Sequence, residues 1–302
     1  MKKRIIGIVG PTASGKTALS LPVAGALGGE ILCMDSMQIY RGMDIGTAKP
    51  TAAERAAVPH HLLDVLAPDE SFSVTQYADL ARPLLDGVSV PILVGGTGLY
   101  LQALSQPMDF GQVPGDEALR AKYHEMAQRQ GAGAVHALLQ RVDPATAARL
   151  HPNDLRRVIR ALEVYDLTGA PISLKRAQEP PESPWDFQLY AVDWPRDELY
   201  ARVERRVDEM MAEGLLEEVR ALREAGVSPQ CQSMQGLGYK ELWPVISGEM
   251  PLSEAVARIK LRTRHYAKRQ LTWFRRDERI IWIPARADLS RAAEMICQRY
   301  QE

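Results

Sequence analysis

Residues 10–17 read Gly10-Pro11-Thr12-Ala13-Ser14-Gly15-Lys16-Thr17, which satisfies the G-x-x-x-x-G-K-[ST] phosphate-loop pattern in full. Such a loop turns backbone N–H groups and a helix N-terminus toward one anion; Lys16 adds a point charge, and the Thr17 hydroxyl can hold Mg²⁺. These residue types select a ligand carrying a diphosphate, without saying whether it belongs to a nucleotide. A nucleoside triphosphatase normally places a second acid at the end of a later apolar strand, to hold Mg²⁺ and the attacking water. Here the apolar run Val90-Pro91-Ile92-Leu93-Val94 passes instead into Gly95-Gly96-Thr97-Gly98-Leu99-Tyr100, with no carboxylate. The acid at a strand end is Asp35, in the stretch from Glu30 to Tyr40. An Asp at such a junction is either a turn or cap residue or, beside a phosphate loop, a catalytic or metal-proximal group. Thr97 likewise either satisfies its own turn or offers its hydroxyl to a ligand.

These residues must be positioned by the elements around them. Residues 4–10, 30–35 and 90–94 read as short apolar strands ending in Gly or Asp, with helical stretches between. That alternation predicts an α/β fold: a phosphate-loop-type parallel sheet flanked by helices, with ligands at the carboxyl ends of its strands. From about 113 to 185 strand patterns vanish and helical ones take over, at 117–130, 134–141, 145–150 and 155–167. The Pro-rich stretch from Glu179 to Pro184 then leads into a strand-like run, Phe187 to Val192. The expected organisation is a core of residues 1–112 and 186–302 interrupted by an all-helical insertion, 113–185. Two long helices are predicted to follow, at about 197–225 and 253–276.

Basic residues cluster within this frame. On a helix over 197–225, Leu199, Val203, Val207 and Met210 form the buried stripe; Arg206 lies at its edge and Arg205 points to solvent. An arginine at a core edge needs an anionic partner, either an internal carboxylate or a bound anion. The segment 258–279 carries nine Lys and Arg, and on one helix Arg258, Arg262, His265, Arg269 and Arg276 fall in a narrow strip. Arg156, Arg157 and Arg160 form a second basic group in the insertion. Such runs serve either as solvated faces or as clamps on nucleic-acid phosphates. Adjacent His60-His61 lack a carboxylate or cysteine cluster and read as core or turn residues rather than metal ligands.

Composition bounds the function class. The 302 residues are 46% hydrophobic and 25% charged with a net charge of −1, so any nucleic-acid contact must come from local patches. No apolar stretch approaches the ~18 residues of a membrane span, and no secretory leader is evident. Cys33, Cys231 and Cys297 are too scattered for a metal or disulfide framework. A cytoplasmic, monomeric enzyme without membrane contact is expected.

Seven segments in order resemble the tRNA dimethylallyltransferase (tRNA isopentenyltransferase) family. They are Gly10 to Thr17, Asp35-Ser36 with Ile39-Tyr40, Gly42 to Pro50, Gly95 to Tyr100, Arg160 to Val164, Gly236 to Glu241 and Arg269 to Arg275. The resemblance runs over nearly the whole chain, and with a last residue at Glu302 it suggests the compact bacterial form. It implies transfer of a dimethylallyl group from dimethylallyl diphosphate to N6 of the adenine at tRNA position 37, beside the anticodon, with release of pyrophosphate. In that frame Gly10, Thr12, Ala13, Ser14, Gly15, Lys16, Thr17 and Arg206 would hold the diphosphate, with Mg²⁺ on Thr17 as cofactor. Asp35 would take the adenine proton, with Thr97 beside it. Asp35, Ser36, Met37, Gln38, Arg120, Arg156, Arg157, Arg160, Arg258, Arg262 and Arg269 would contact the tRNA anticodon stem-loop. The competing reading is a phosphotransferase of the nucleoside-monophosphate-kinase kind, which shares loop, sheet and inserted lid; a nucleotide-switched RNA-binding protein would need γ-phosphate-sensing loops and an acid that this sequence does not show.

Overall fold

A computed structural model describes residues 2–106, 113, 115–176 and 182–302. In chain order the elements are β1 (Lys3–Val9), α1 (Lys16–Leu27), β2 (Glu30–Cys33), α2 (Ala52–Ala57), β3 (His60–His61), α3 (Val74–Gly87), β4 (Pro91–Gly95) and α4 (Gly98–Ser105). Then come α5 (Glu117–Gln130), α6 (Ala132–Val142), α7 (Pro144–Ala147), α8 (Leu155–Thr168) and α9 (Ile172–Arg176). The chain returns through β5 (Trp185–Asp193), α10 (Arg196–Ala212), α11 (Leu215–Glu224), α12 (Tyr239–Ile246), α13 (Leu252–Phe274), β6 (Ile280–Pro284) and α14 (Leu289–Gln301).

The strands form one six-stranded parallel sheet in the order β3-β2-β4-β1-β5-β6. β1 is central and apolar on both faces: Ile5, Ile6, Ile8 and Val9 are fully buried, as a parallel strand covered by helices requires. One core cluster packs Ile6, Ile8, Ile92, Tyr190 and Ile283 of the sheet against Leu19 and Val23 of α1 and Ile296 of α14. Register decides the site. Val9 pairs with Gly95 and with Ala191, and Cys33 pairs with Val94. The carboxyl ends of β1, β2, β4 and β5 are therefore level, and the loops that follow them share one edge.

Three expectations are corrected. His60 and His61 form β3, a two-residue edge strand; His60 Nδ1 meets the Val58 carbonyl at 2.7 Å and His61 Nε2 meets Glu30 at 2.5 Å. The helix expected over 197–225 is two helices, broken where Gly214 takes a left-handed backbone at φ 101° that L side chains rarely adopt. The apolar run Ile280–Pro284, hidden behind the basic segment, closes the sheet as β6, and α13 ends at Phe274, so Arg276 lies beyond it.

The chain divides into two compact units, residues 1–105 with 183–302, and Gln106–Glu182. The second unit has its own core of Tyr123, Val135, Leu139, Val158, Ile159 and Leu162. At its heart is Glu163, whose side chain is completely buried. It pairs with Arg160 at 2.5 Å and Arg120 at 2.8 Å and accepts the Asp116 N–H at 2.7 Å. Burial alone would raise its pKa, but Arg160, the Asp116 amide and Arg120 hold it below the ordinary carboxylate value.

Candidate active site

The phosphate loop follows β1 and is built from positive-φ turns: Gly10 at 134°, Ala13 at 62° and Gly15 at 91°. Ala13 is not a glycine, and its strained backbone is held from outside the loop. Arg202 of α10 donates from Nε to the Ala13 carbonyl at 2.8 Å, and its guanidinium lies 4.1 Å from the centre of the Trp194 ring. Trp194 Nε1 donates to the Ser14 carbonyl at 2.9 Å. Pinning both carbonyls from behind leaves the loop amides and the N-terminus of α1 available to a ligand. That helix has no side-chain cap and no acid in its first turn. Gln270 of α13 completes the frame, accepting the Thr12 N–H through Oε1 at 2.9 Å and donating from Nε2 to the Gly96 carbonyl at 2.9 Å. The sequence reading missed Trp194, Arg202 and Gln270; all three act on backbone atoms of distant segments, which no local pattern reveals.

Ser14 is 1% exposed, and its hydroxyl is a buried oxygen with no hydrogen-bond partner. Such an orphan marks a place where an anion or its cation belongs. Lys16 donates to the carbonyls of Gly10 at 3.2 Å and Pro11 at 2.8 Å. Burial lowers its pKa from 10.5 to about 8, against the pull of Asp35 and with added repulsion from Arg206. Arg206 makes no hydrogen bond or ion pair among the described residues, whereas Arg205 pairs with Glu209 at 3.6 Å. The internal-carboxylate partner left open for Arg206 is thus absent within ion-pair reach: the carboxylates of Glu209, Asp35 and Glu213 act on the guanidinium only at a distance.

Asp35 follows β2. Its Oδ1 accepts the Met37 N–H at 2.9 Å, an Asx turn that fixes the carboxylate. Thr97 follows β4; its Oγ1 accepts the Ser36 N–H at 3.1 Å, and its own N–H donates to the Met34 carbonyl at 3.2 Å. Thr97 therefore stitches two strand ends together and keeps its hydroxyl proton for another acceptor. The floor is aromatic. Burial, and after it the charge of Asp35, pushes the phenols of Tyr100 and Tyr266 well above their ordinary range; Tyr100 stacks on Tyr77 at 3.9 Å. No group of three or more metal-ligating side chains exists among the described residues.

A family model described as IPP transferase matches residues 38–277, and one described as isopentenyl transferase matches 3–64. The chain belongs to the IPP transferase family. It is 49% identical over 286 residues to tRNA dimethylallyltransferase of Geobacillus thermodenitrificans, covering 93% of this chain and 90% of that protein. It is 48% identical over 301 residues to the protein of the same name from Roseiflexus sp., covering 98% of each. The crystal structure of tRNA isopentenylpyrophosphate transferase from Bacillus halodurans is similar at a TM-score of 0.74 and 42% identity, over 99% of this chain and 97% of that one. A eukaryotic dimethylallyltransferase acting on tRNA is similar at 0.80 and 29%, over 98% and 77%.

In this IPP transferase the segment after β2 is braced by an internal network. Gln38 does not point outward: its amide donates to the carbonyls of Thr47 at 2.9 Å and Ala48 at 3.1 Å, and its oxygen accepts from Cys33 Sγ at 3.1 Å. Lys49, with its side chain 1% exposed, joins Asp64 at 2.5 Å, Asp44 at 2.7 Å and the Tyr40 carbonyl at 2.6 Å. Glu218 of α11 accepts three consecutive N–H groups, of Asp44, Ile45 and Gly46, plus the Tyr239 hydroxyl at 2.6 Å. Residues 42–50, which carried much of the resemblance, thus hold Gln38 at the end of the segment that Asp35 begins. Met37 lies against Gly236, whose added Cβ would meet Met37 Cε at 2.7 Å.

The basic residues divide. Arg258 pairs with Glu254 at 2.5 Å and Arg262 with the buried Glu241 at 2.9 Å. In the helical unit Arg120 and Arg160 are absorbed by Glu163 and Arg157 pairs with Asp154 at 2.8 Å, while Arg156 is exposed and carries no ion pair among the described residues. Arg269 carries none either, its guanidinium resting 5.7 Å from the Tyr266 ring centre. No described helix is long and apolar enough to cross a membrane.

Proposed function

We propose that this chain transfers the dimethylallyl group of dimethylallyl diphosphate to N6 of adenine 37 beside a tRNA anticodon, giving N6-(dimethylallyl)adenosine and pyrophosphate. The observation that carries this reading is one pairing. A phosphate loop with an unpartnered buried Ser14 hydroxyl faces Asp35 at the end of β2, and the end of β4 offers Thr97 where a nucleotide hydrolase would hold an acid. The loop therefore suits a departing diphosphate better than a hydrolysed γ-phosphate.

In the reaction the C1–O bond to diphosphate breaks and its electron pair leaves with the phosphate oxygen. The N6 lone pair of adenine forms the new bond to C1, and the N6 proton passes to the Asp35 carboxylate. That lone pair is delocalised into the purine, so a positioned base is needed, worth typically 10²–10⁴-fold. The loop amides other than that of Thr12, which Gln270 holds, act with Ser14, Lys16 and Arg206 on the diphosphate, with Lys16 and Arg206 compensating the charge it gains. Thr97 orients Asp35 through Ser36 and presents its hydroxyl to the pocket. Thr17 would hold Mg²⁺, which would supply charge neutralisation for the leaving group, and the orphaned Ser14 oxygen fits a charged ligand at this loop. For adenine to reach Asp35 the base must swing out of its loop. We assign RNA phosphates to Arg269 and Arg156, the members of the two basic groups without internal partners, and Arg258 and Arg157 join through their exposed faces. Arg120, Arg160 and Arg262 act from within, by holding Glu163 and Glu241.

Mass spectrometry of a tRNA incubated with dimethylallyl diphosphate should show the gain of one dimethylallyl unit, without ATP turnover. ATP consumption with unchanged RNA mass would restore the phosphotransferase reading. Asp35→Asn should retain RNA and prenyl-donor binding and lower single-turnover transfer by at least about 10²-fold.

A further inference from the structure

The cations of α13 are unequally available. From its start to residue 264 each is neutralised: Arg258 by Glu254, Lys260 by Asp208, Arg262 by Glu241 and Arg264 by Glu204. Beyond that point His265, Lys268, Arg269 and Arg276 make no ion pair among the described residues. With Thr272 and Trp273 they line an open hollow of about 380 Å³ along one side of the end of α13, a volume that a nucleotide could occupy.

Trp273 is 39% exposed in the midst of these charges. Its ring is seated against the backbone at the start of α4, where a Cβ on Gly98 would come within 2.2 Å of the indole. Gly98 follows Thr97 directly, and one turn back along α13 Gln270 ties Thr12 to Gly96. The hollow therefore adjoins the reaction site and presents a rigid indole face edged by unpaired cations. Such an indole is a stacking platform for a single-stranded base, and the cations suit its phosphates. An adenine swung toward Asp35 leaves its loop neighbour without a stacking partner, one backbone step away.

We propose that this hollow is the subsite for a nucleotide flanking the target adenine, its base stacked on Trp273 and its phosphates against Lys268, Arg269 and Arg276. The inference rests on the RNA-prenylating reading above and adds a positioning residue to it. The test uses an anticodon stem-loop RNA carrying 2-aminopurine on one side, then the other, of the target adenine. Binding to the full chain should quench the probe on one side. Trp273→Ala should abolish that quench and weaken RNA binding roughly 5- to 150-fold, leaving pyrophosphate affinity unchanged, while Trp273→Phe keeps most of both. Lys268→Gln with Arg276→Gln should flatten the salt dependence of RNA binding by a slope of about 1–2. This surface pair decides the matter if Trp273→Ala does not fold. No quench on either side, a quench that survives Trp273→Ala, or an unchanged salt slope overturns the subsite. Dimethylallyl transfer by the wild-type chain on the unlabelled RNA separates the two claims: its absence sinks the functional reading, and its presence with those results sinks only the hollow.

Discussion

Lys16 allows the phosphate loop to be tested without any RNA. In the ligand-free protein burial, reinforced by Arg206 and opposed by Asp35, brings its pKa from 10.5 to about 8, a difference of ~3 kcal/mol between protonation states. A diphosphate on the loop supplies the missing counter-charge and restores the ammonium. At pH 8.5 roughly three-quarters of the free protein has Lys16 neutral, against roughly a tenth at pH 7. Binding of inorganic pyrophosphate should therefore take up ~0.7 proton more at pH 8.5 in the wild type than in Lys16→Met, and only ~0.1 more at pH 7. Isothermal titration in two buffers of different ionisation enthalpy measures this, and the variant subtracts the ligand's own titration. Equal proton uptake by the two proteins at pH 8.5 would refute the buried, desolvated Lys16. The same displacement affects stability. Because the folded pKa is the lower one, the unfolded chain binds more protons between about 8 and 10.5, so stability rises with pH through that window and the penalty is fully present below it. Lys16→Met should accordingly raise the melting temperature of the ligand-free protein at pH 7, with the gain fading toward pH 10.5.

Four further substitutions address the scaffold. A Cβ at residue 95 would lie 2.0 Å from the Met34 carbonyl oxygen, so Gly95→Ala must force β2 and β4 apart; thermal melting should show a loss above ~2 kcal/mol. Arg262→Ala leaves the buried Glu241 without its cation and should cost ~1–3 kcal/mol, whereas Arg258→Ala removes an exposed i,i+4 pair and should stay within ~0.5 kcal/mol in the same denaturant titration. Glu218→Gln weakens the clamp on three amides of residues 44–46. It should cost ~2 kcal/mol and raise the KM for RNA with pyrophosphate affinity intact; an unchanged KM would detach that loop from RNA binding.

The phosphate loop, Asp35 and Thr97 were legible in the sequence because each sits where a short apolar run stops, and parallel strands deliver such ends to one edge. Helical periodicity placed Arg206 beside a buried stripe for the same local reason. β6 was not legible: five apolar residues behind a dense basic run carry no periodicity of their own, and only pairing with β5 makes them a strand. Charge was legible in number but not in use. Arg120, Arg160 and Arg262 look like surface cations in one dimension, and in three they face Glu163 and Glu241, carboxylates too deeply buried to stand unpaired.

From the amino-acid order alone came the phosphate-loop motif, the acid at the end of β2 that we propose as the base, and the family, since these reside in contiguous motifs whose backbone chemistry is local. Tertiary structure alone decided which cations remain free among the described residues, how Trp194, Arg202 and Gln270 hold the phosphate loop, and that residues 42–50 hold Gln38. Those are pairings between side chains and backbone atoms far apart in the chain, and nothing but the packed fold brings them within hydrogen-bond reach.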